Sequence, residues 1–452
     1  MEEDEFLKAE GDVNLSAIRQ QWQENNLDEA TKELLAQDEK YFIHQSLSTP
    51  CLNVLEDCDG IYLKDQQGRK LMDFHGNNVH QVGFNNPAVI DAVKEQLDSL
   101  SFCTRRYTNE KSIELAKRLT DLTPDNLNKV LFAPGGAEAV GMALKLARKV
   151  TGKFKVISMW DSFHGATLDT ISIGGEATFR KDLGPLIPGV EHVLPMNTYR
   201  CVFGECEECD LKCIKYLEYV LERERDIGAI VVETIRNTDV QIPSKKYYQR
   251  LRELCDRHNV LLILDEIPIA LGRTGEMFAF ERYDIIPDMV IVGKGLGGGV
   301  FPLAALITRE DFNVAKETAL GHYTHEKTPV GAAAALATID FIEDENLLEH
   351  VNQMNTFLGK QLEQLKEKYE IIGDIRGCGL LFAVELVTDR ATKEKAVEEA
   401  EKIMYKCLEQ GLSFKVSQGN VLTLSPALTI QPGELTDAVN ILEKAIKDVI
   451  SN

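Results

Sequence analysis

Residues 260–294 read VLLILDEIPIALGRTGEMFAFERYDIIPDMVIVGK, two apolar runs of which one ends in Asp265 and the other in Lys294. Neither run alternates polar with apolar residues, so both read as strands covered on two faces rather than one. Three comparable runs precede them: KVLFA (129–133), FKVISM (154–159) and AIVVE (229–233), with helical patterns between. Strands of this kind separated by helices predict an α/β domain, a mostly parallel sheet between helices. In such a sheet, ligands collect beyond the carboxyl ends of the strands. The residues expected there are Pro134-Gly135-Gly136-Ala137-Glu138, Glu233, Asp265 and Lys294.

Working outward, LEDCDGIYLKDQQGRKLMDF (55–74) has short apolar runs flanking turn residues, the pattern of a β-meander. Residues 1–45 are polar and charged, with helical spacing at Leu27, Ala30, Leu34 and Leu35, and predict one or two helices. Beyond residue 330 the pattern becomes α+β: a long helical stretch, RGCGLLFAVEL (376–386), NVLTLSPAL (420–428) and a final helix. The expected organisation is an N-terminal segment and meander over 1–75, a large domain over 76–330, and a small domain over 331–452 completed by the N-terminal segment.

The chain has 452 residues, 50 basic and 72 acidic side chains, and a formal net charge of −22. That balance argues against nucleic acid or an anionic membrane as the main partner, since both repel an acidic surface. No stretch offers the roughly 18 consecutive apolar residues of a membrane span. The acidic opening MEEDEFLKAEGD lacks a signal peptide's basic start and apolar core. A cytoplasmic protein with reduced cysteines is expected.

Three local patterns at the strand ends each carry a chemical and a plain structural reading. Gly135-Gly136 opens a helix whose apolar face is Val140, Ala143, Leu144 and Ala147. It reads as a phosphate cradle made of free N–H groups, or as a tight strand-to-helix turn. Asp265 closes an apolar run and needs a cationic partner, either a ring nitrogen or a structural arginine. Lys294, set among Gly293, Gly295 and Gly297, reads as a desolvated amine that reacts with a ligand carbonyl, or as a lysine snorkelling beside a loop.

Taken together, residues 261–306 resemble the signature of the class-III aminotransferases. GGAEAVGMALKLAR (135–148) resembles that family's phosphate-loop helix, and SFHGATLDT (162–170) its ring-stacking segment. The resemblance runs from residue 48 to the C-terminus. It implies the fold-type-I architecture of pyridoxal 5'-phosphate enzymes and a homodimer whose active sites are built by both subunits. It implies that Lys294 binds the cofactor covalently and later moves the proton, and that Asp265 meets the pyridine nitrogen. Phe163 and Ile267 take the two faces of the ring, and Gly136 and Ala137 give backbone N–H groups to the phosphate. Thr324, in GHYTHEKTPVGAAAAL (321–336), reaches the neighbour's phosphate. Glu233 and Glu138 match acids of the family.

Four departures from the family stand out. Pro268 replaces a glutamine, Ala166 an arginine, and Thr234 a proline ahead of IRNTDVQIPS (235–244), while NVLTLSPAL lacks an arginine before its proline. These weaken the case for an ordinary α-amino-acid transaminase. Against them stand Arg105 and Arg106 in TRRYT (104–108), where relatives tend to be apolar. The pair either grips a doubly charged phosphonate or phosphate, with Glu233 nearby, or serves surface salt bridges. The combination resembles the family's lyase branch, which eliminates the hydroxyl of a small amino-phosphonate, (R)-1-hydroxy-2-aminoethylphosphonate, to give phosphonoacetaldehyde and ammonia. The alternative is an ω-aminotransferase with pyruvate or a similar acceptor. A non-catalytic dimeric scaffold fits poorly with an intact Lys294 and Asp265, and no G-x-G-x-x-G supports a dinucleotide site.

Cys201, Cys206, Cys209 and Cys213 cluster in RCVFGECEECDLKC (200–213), with a spacing that matches no defined zinc pattern. Metal binding, a local disulfide and plain thiols all stay open, and no metal is expected.

Overall fold

The computed structural model describes residues 16–204 and 211–451, which fall into two units. One unit takes its residues from Met1–Asn85, Thr238–Val240 and Glu349–Asn452, and the other from Asn86–Asn237 and Gln241–Leu348. Among the described residues no helix is long and apolar enough to cross a membrane.

The first unit begins with α1 (Ala17–Asn26) and α2 (Glu29–Tyr41). Both are capped at their N-termini, by Ser16 accepting from Arg19 N–H and Asp28 accepting from Thr31 N–H. The anticipated stripe of α2 is only partly used: Ala30 and Leu34 are exposed, whereas Trp22 and Leu27 are buried. Strands β1 (Leu55–Asp59), β2 (Tyr62–Asp65) and β3 (Lys70–Asp73) form the expected antiparallel meander.

The second unit follows with α3 (Pro87–Ser99), α4 (Glu110–Asp121), β4 (Lys129–Ala133), α5 (Gly136–Thr151), β5 (Lys155–Met159), α6 (Leu168–Ile173) and β6 (Val190–Val193). It continues with α7 (Lys212–Arg223), β7 (Ile227–Glu233), α8 (Lys245–His258), β8 (Leu261–Asp265), β9 (Met289–Val292), β10 (Ala304–Thr308) and α9 (Pro329–Asp344). The seven strands lie in the order β4-β10-β9-β8-β7-β5-β6. From β9 through β8, β7 and β5 to β6 every pair is parallel, and β10 runs against both of its neighbours. Strands β7 and β9 are buried along their whole length, as unbroken apolar runs in a covered sheet must be.

The face of α5 made by Val140, Ala143, Leu144 and Ala147 packs on Val231, Ile263 and Ile291 of the central strands. Helix α9 is buried almost all round, and its alanines let α3 and α4 pack close.

The chain then returns to the first unit through α10 (Leu347–Lys368), β11 (Ile372–Cys378), β12 (Leu381–Asp389), β13 (Glu394–Lys395) and α11 (Val397–Glu409). It ends with β14 (Leu412–Ser413), β15 (Lys415–Ser417), β16 (Val421–Leu424) and α12 (Pro432–Ile450). Strand β14 pairs in parallel with β3, so one sheet is built from both chain ends. A second, antiparallel sheet runs β11-β12-β16-β15, with β13 on β12. Arg376 explains why Thr238–Val240 belongs here. Its guanidinium bonds Asp374 and Glu385 at 2.9 and 2.8 Å and donates to the carbonyls of Asp239 and Val240.

Candidate active site

Strands β7, β8 and β9 end nearly level. Glu233 lies opposite Asp265, and Asp265 opposite Ile291, so Lys294 follows three residues past the same edge. Asp265 is only 2% exposed, and such a carboxylate must be met by donors or a cation. His164 Nδ1 donates to Asp265 Oδ2 at 2.8 Å, and Ile267 N–H donates to Oδ1 at 3.1 Å. The partner that the sequence left open between a ring nitrogen and an arginine is, within the chain, a histidine. Burial alone would drive His164 toward neutral. The hydrogen bond and charge of Asp265, joined by the charge of Glu233, outweigh it and raise its pKa. Its Nε2 faces the Ser158 hydroxyl at 3.4 Å, with the ring tautomer inferred from these partners.

Lys294 has φ 46°, in the left-handed region. That conformation costs a non-glycine residue about 1–2 kcal/mol. Its surroundings are close-packed. A methyl built on Gly136 would sit 2.7 Å from Ile267 Cδ1, and one on Gly293 would sit 3.3 Å from Ile267 Cγ2. Ile267 therefore packs against both the first residue of α5 and the residue before Lys294, and glycine at 136 makes that approach possible.

Helix α5 has no side-chain cap at Gly135, and its first helical bond runs from Ala139 N–H to Gly135 O at 3.2 Å. The N–H groups of Gly136, Ala137 and Glu138 lie ahead of that bond at the positive end of the helix, the geometry of an anion cradle.

Glu233 turns out to orient its neighbours. Its Oε1 accepts from Phe163 N–H at 3.1 Å and its Oε2 from Asn237 N–H at 3.2 Å. Burial raises its pKa, against the opposing charges of His164 and Arg236. Phe163 is half-buried, and its ring packs 4.5 Å from that of Phe179. Phe163 precedes the histidine that bonds Asp265, and Ile267 bonds Asp265 directly, so the two apolar side chains are anchored beside one carboxylate. Glu266 is fully buried and accepts from Thr234 Oγ1, Ala279 N–H and Phe280 N–H at 2.8, 2.7 and 2.8 Å. Thr234, a departure from the family, thus supplies a donor that proline lacks.

Arg105, Arg106 and Thr324 form a separate, exposed group. The Arg105 guanidinium meets the His322 ring, Phe102 and His325 pack edge-on at 5.3 Å, and Asn109 donates to the Lys327 carbonyl at 3.0 Å. These contacts lay residues 102–109 beside residues 322–327. Of the cysteine cluster, Cys206 and Cys209 lie outside the described residues, and Cys201 and Cys213 are half-buried. Among the described residues no group of three or more His, Cys, Asp or Glu side chains is placed to hold a metal ion.

His164 is the residue that sequence reasoning passed over. It entered only inside SFHGATLDT, although its place next to Phe163 was a usable signal.

The profile of the class-III aminotransferases matches residues 43–446, and the chain belongs to that family. Pyridoxal 5'-phosphate is the family's cofactor. The residues fit it: a buried carboxylate for a ring nitrogen, an uncapped helix end for a phosphate, and a lysine just past the strand that pairs beside that carboxylate.

The chain is 53% identical to the (R)-1-hydroxy-2-aminoethylphosphonate ammonia-lyase of Vibrio splendidus (strain 12B01), over 98% of this chain and 96% of that protein. It is 36% identical to the leucine/methionine racemase of Thermococcus litoralis, over 85% and 88% of the two chains. Among solved structures it is similar to the taurine:2-oxoglutarate aminotransferase of Bifidobacterium kashiwanohense in complex with PLP and glutamate. There the TM-score is 0.87 at 28% identity, over 94% and 100% of the two chains.

Proposed function

We propose that this protein is a pyridoxal-phosphate-dependent ammonia-lyase that converts (R)-1-hydroxy-2-aminoethylphosphonate to phosphonoacetaldehyde and ammonia. The observation that carries the reading is the 53% identity to a lyase of that name along nearly the whole of both chains.

When bound, the cofactor withdraws electrons from the carbon that bears the substrate's amine. Asp265, hydrogen-bonded to His164, is placed to keep a ring nitrogen protonated. The N–H groups of Gly136 and Ala137 would hold the phosphate, and Phe163 and Ile267 would confine the ring. Lys294 Nζ takes the proton from the amine-bearing carbon. Loss of the hydroxyl from the adjacent carbon then leaves an enamine, which water hydrolyses to the aldehyde and ammonia.

In this reading the enzyme is a cytoplasmic homodimer that works in phosphonate degradation. Thr324, Arg105 and Arg106, exposed side by side, serve the site of the partner subunit, where the two arginines meet the phosphonate. Exposed apolar residues of the same segment, Phe102 and Tyr107, support such a contact.

The test is purified, cofactor-loaded enzyme with the hydroxylated amino-phosphonate, read for ammonia and aldehyde with and without pyruvate. Ammonia release without a keto acid is expected. Turnover only with pyruvate, with alanine as product, would make the enzyme an ω-aminotransferase instead.

A further inference from the structure

A serine hydroxyl carries one proton, so a chain of buried hydroxyls takes its direction from whichever end is fixed. Ser158 lies in β5, and Ser162 and His164 follow it; none of the three is more than 3% exposed. Ser162 Oγ donates to Met159 O at 2.8 Å, so its proton is spent on a carbonyl that can only accept. Its oxygen is 3.3 Å from Ser158 Oγ, and the proton of that contact must come from Ser158. Ser158 Oγ lies 3.4 Å from His164 Nε2, and with its own proton given to Ser162 it can only accept there. The opposite ring nitrogen, Nδ1, donates to Asp265 Oδ2 at 2.8 Å. The ring then donates from both nitrogens, which is the imidazolium form.

A neutral ring would need the Ser158 proton turned to Nε2. The two serine oxygens would then face each other at 3.3 Å with no proton between them, out of reach of water. Burial works against the charged ring, and the hydrogen bond and charge of Asp265, at the end of β8, together with Glu233, at the end of β7, outweigh it. Arg236 bears on Glu233, and His192 of β6 lies within the field of His164.

We propose that Ser158 and Ser162 are positioning residues that hold the second proton on His164, and so set the charge behind Asp265 in the cofactor site. The role goes beyond the proposed reaction and does not depend on which substrate the enzyme takes. As pH rises, the ring gives up its Nε2 proton and the Ser158 hydroxyl turns from Ser162 to Nε2. Asp265 then keeps its bond to Nδ1 and loses the positive charge behind it.

The experiment follows the His164 ring by NMR in cofactor-loaded, full-length enzyme with isotope-labelled histidines, the signals being identified by their loss in His164→Gln. At neutral pH both ring nitrogens should carry a proton, and at alkaline pH Nε2 alone should lose it. In Ser158→Ala the midpoint of that step should fall by about 1 pH unit, the scale of losing one hydrogen bond to a charged group. Ser162→Ala should lower it too, because the Ser158 proton is then free to turn to Nε2. Ser158→Thr, which restores the hydroxyl, should bring the midpoint back toward the wild-type value.

If Ser158→Ala does not fold, Ser162→Ala decides, since it leaves Ser158 in place and changes only where its proton can go. A wild-type ring with a single proton at neutral pH, or a midpoint unmoved in either alanine variant, overturns the proposal. These outcomes are separate from the test of the reaction. An ω-aminotransferase with a doubly protonated His164 would leave the serine pair its role, and a phosphonate lyase with a singly protonated one would remove it.

Discussion

Replacing Asp265 by asparagine keeps the shape of the side chain and removes its charge. Both members of the Asp265–His164 pair are buried, each 2% exposed, so water cannot compensate for what is lost. The new side chain can still accept from Ile267 N–H, now 3.1 Å from Oδ1. Its amide nitrogen, however, would take the place of Oδ2 and confront the Nδ1–H of His164, which now donates at 2.8 Å. Two donors would face each other unless the imidazole moves its proton to Nε2, toward Ser158.

Losing a hydrogen bond to a charged group costs about 1.5–3 kcal/mol. Stripping one partner from a buried ion pair costs about 3–5 kcal/mol. The retained Ile267 bond and the tautomer shift place the expectation near the lower range, about 2 kcal/mol. The pH dependence follows from the raised pKa of His164. A raised histidine contributes stability that is fully present below its unfolded value, about 6.5, and is lost as pH rises through the folded one. The gap between wild type and variant should therefore be wider at acidic pH than at alkaline pH. Denaturant unfolding of the cofactor-free proteins on either side of neutrality measures it. A gap that does not narrow as pH rises would show that His164 is not held charged by Asp265. A variant that also releases ammonia at the wild-type rate would make Asp265 a structural residue.

Lys294→Ala should fold normally by circular dichroism and release ammonia at less than about 1% of the wild-type rate, because it removes the amine that moves the proton. Arg106→Leu should lose about 1 kcal/mol of binding for phosphonate or phosphate ligands, the scale of an exposed ion pair, and much less for a neutral amine of similar size, with Arg106→Lys recovering only part. Equal effects on both kinds of ligand would reduce Arg106 to shaping the site. Burial pushes Glu266 up to about 7 from its ordinary 4.5, so the stability it contributes is full below the ordinary value and is lost as pH rises through about 7. Glu266→Gln should flatten that slope in thermal unfolding and cost about 1–3 kcal/mol, since one end of the amide must face a donor.

The central sheet was legible because strands β7, β8 and β9 are covered on both faces, and continuous burial leaves an unbroken apolar run in the sequence. Strand β6, Val190–Val193, gave no such signal, since three of its four residues are only partly buried. Strand β10 has the apolar composition, but its five residues follow a glycine-rich segment with no α-helix between it and β9. Lys294 and Asp265 could be singled out because each closes an apolar run. The bond that decides what Asp265 does could not, because its partner lies 101 residues away. Glu233 was nominated as a substrate contact, and the structure shows its carboxylate on two backbone N–H groups. Sequence position places an acid at a strand end and leaves undetermined which donors reach it.

One departure from the family has a visible consequence beside the matched acids. Thr234 stands where relatives have proline, and its hydroxyl donates to Glu266, which also accepts two backbone N–H groups. Glu233 is taken up by Phe163 and Asn237, and Asp265 by His164 and Ile267. The three acids Glu233, Asp265 and Glu266, buried at these strand ends, are thus met by the chain itself. A hydrogen bond leaves a carboxylate its charge, so a doubly negative substrate at this edge still needs cations, and in the proposed reading the exposed Arg105 and Arg106 supply them. Phosphonate affinity should then fall as salt is added, because charges open to solvent are screened. A phosphonate Kd that does not change with added salt would take that role from Arg105 and Arg106.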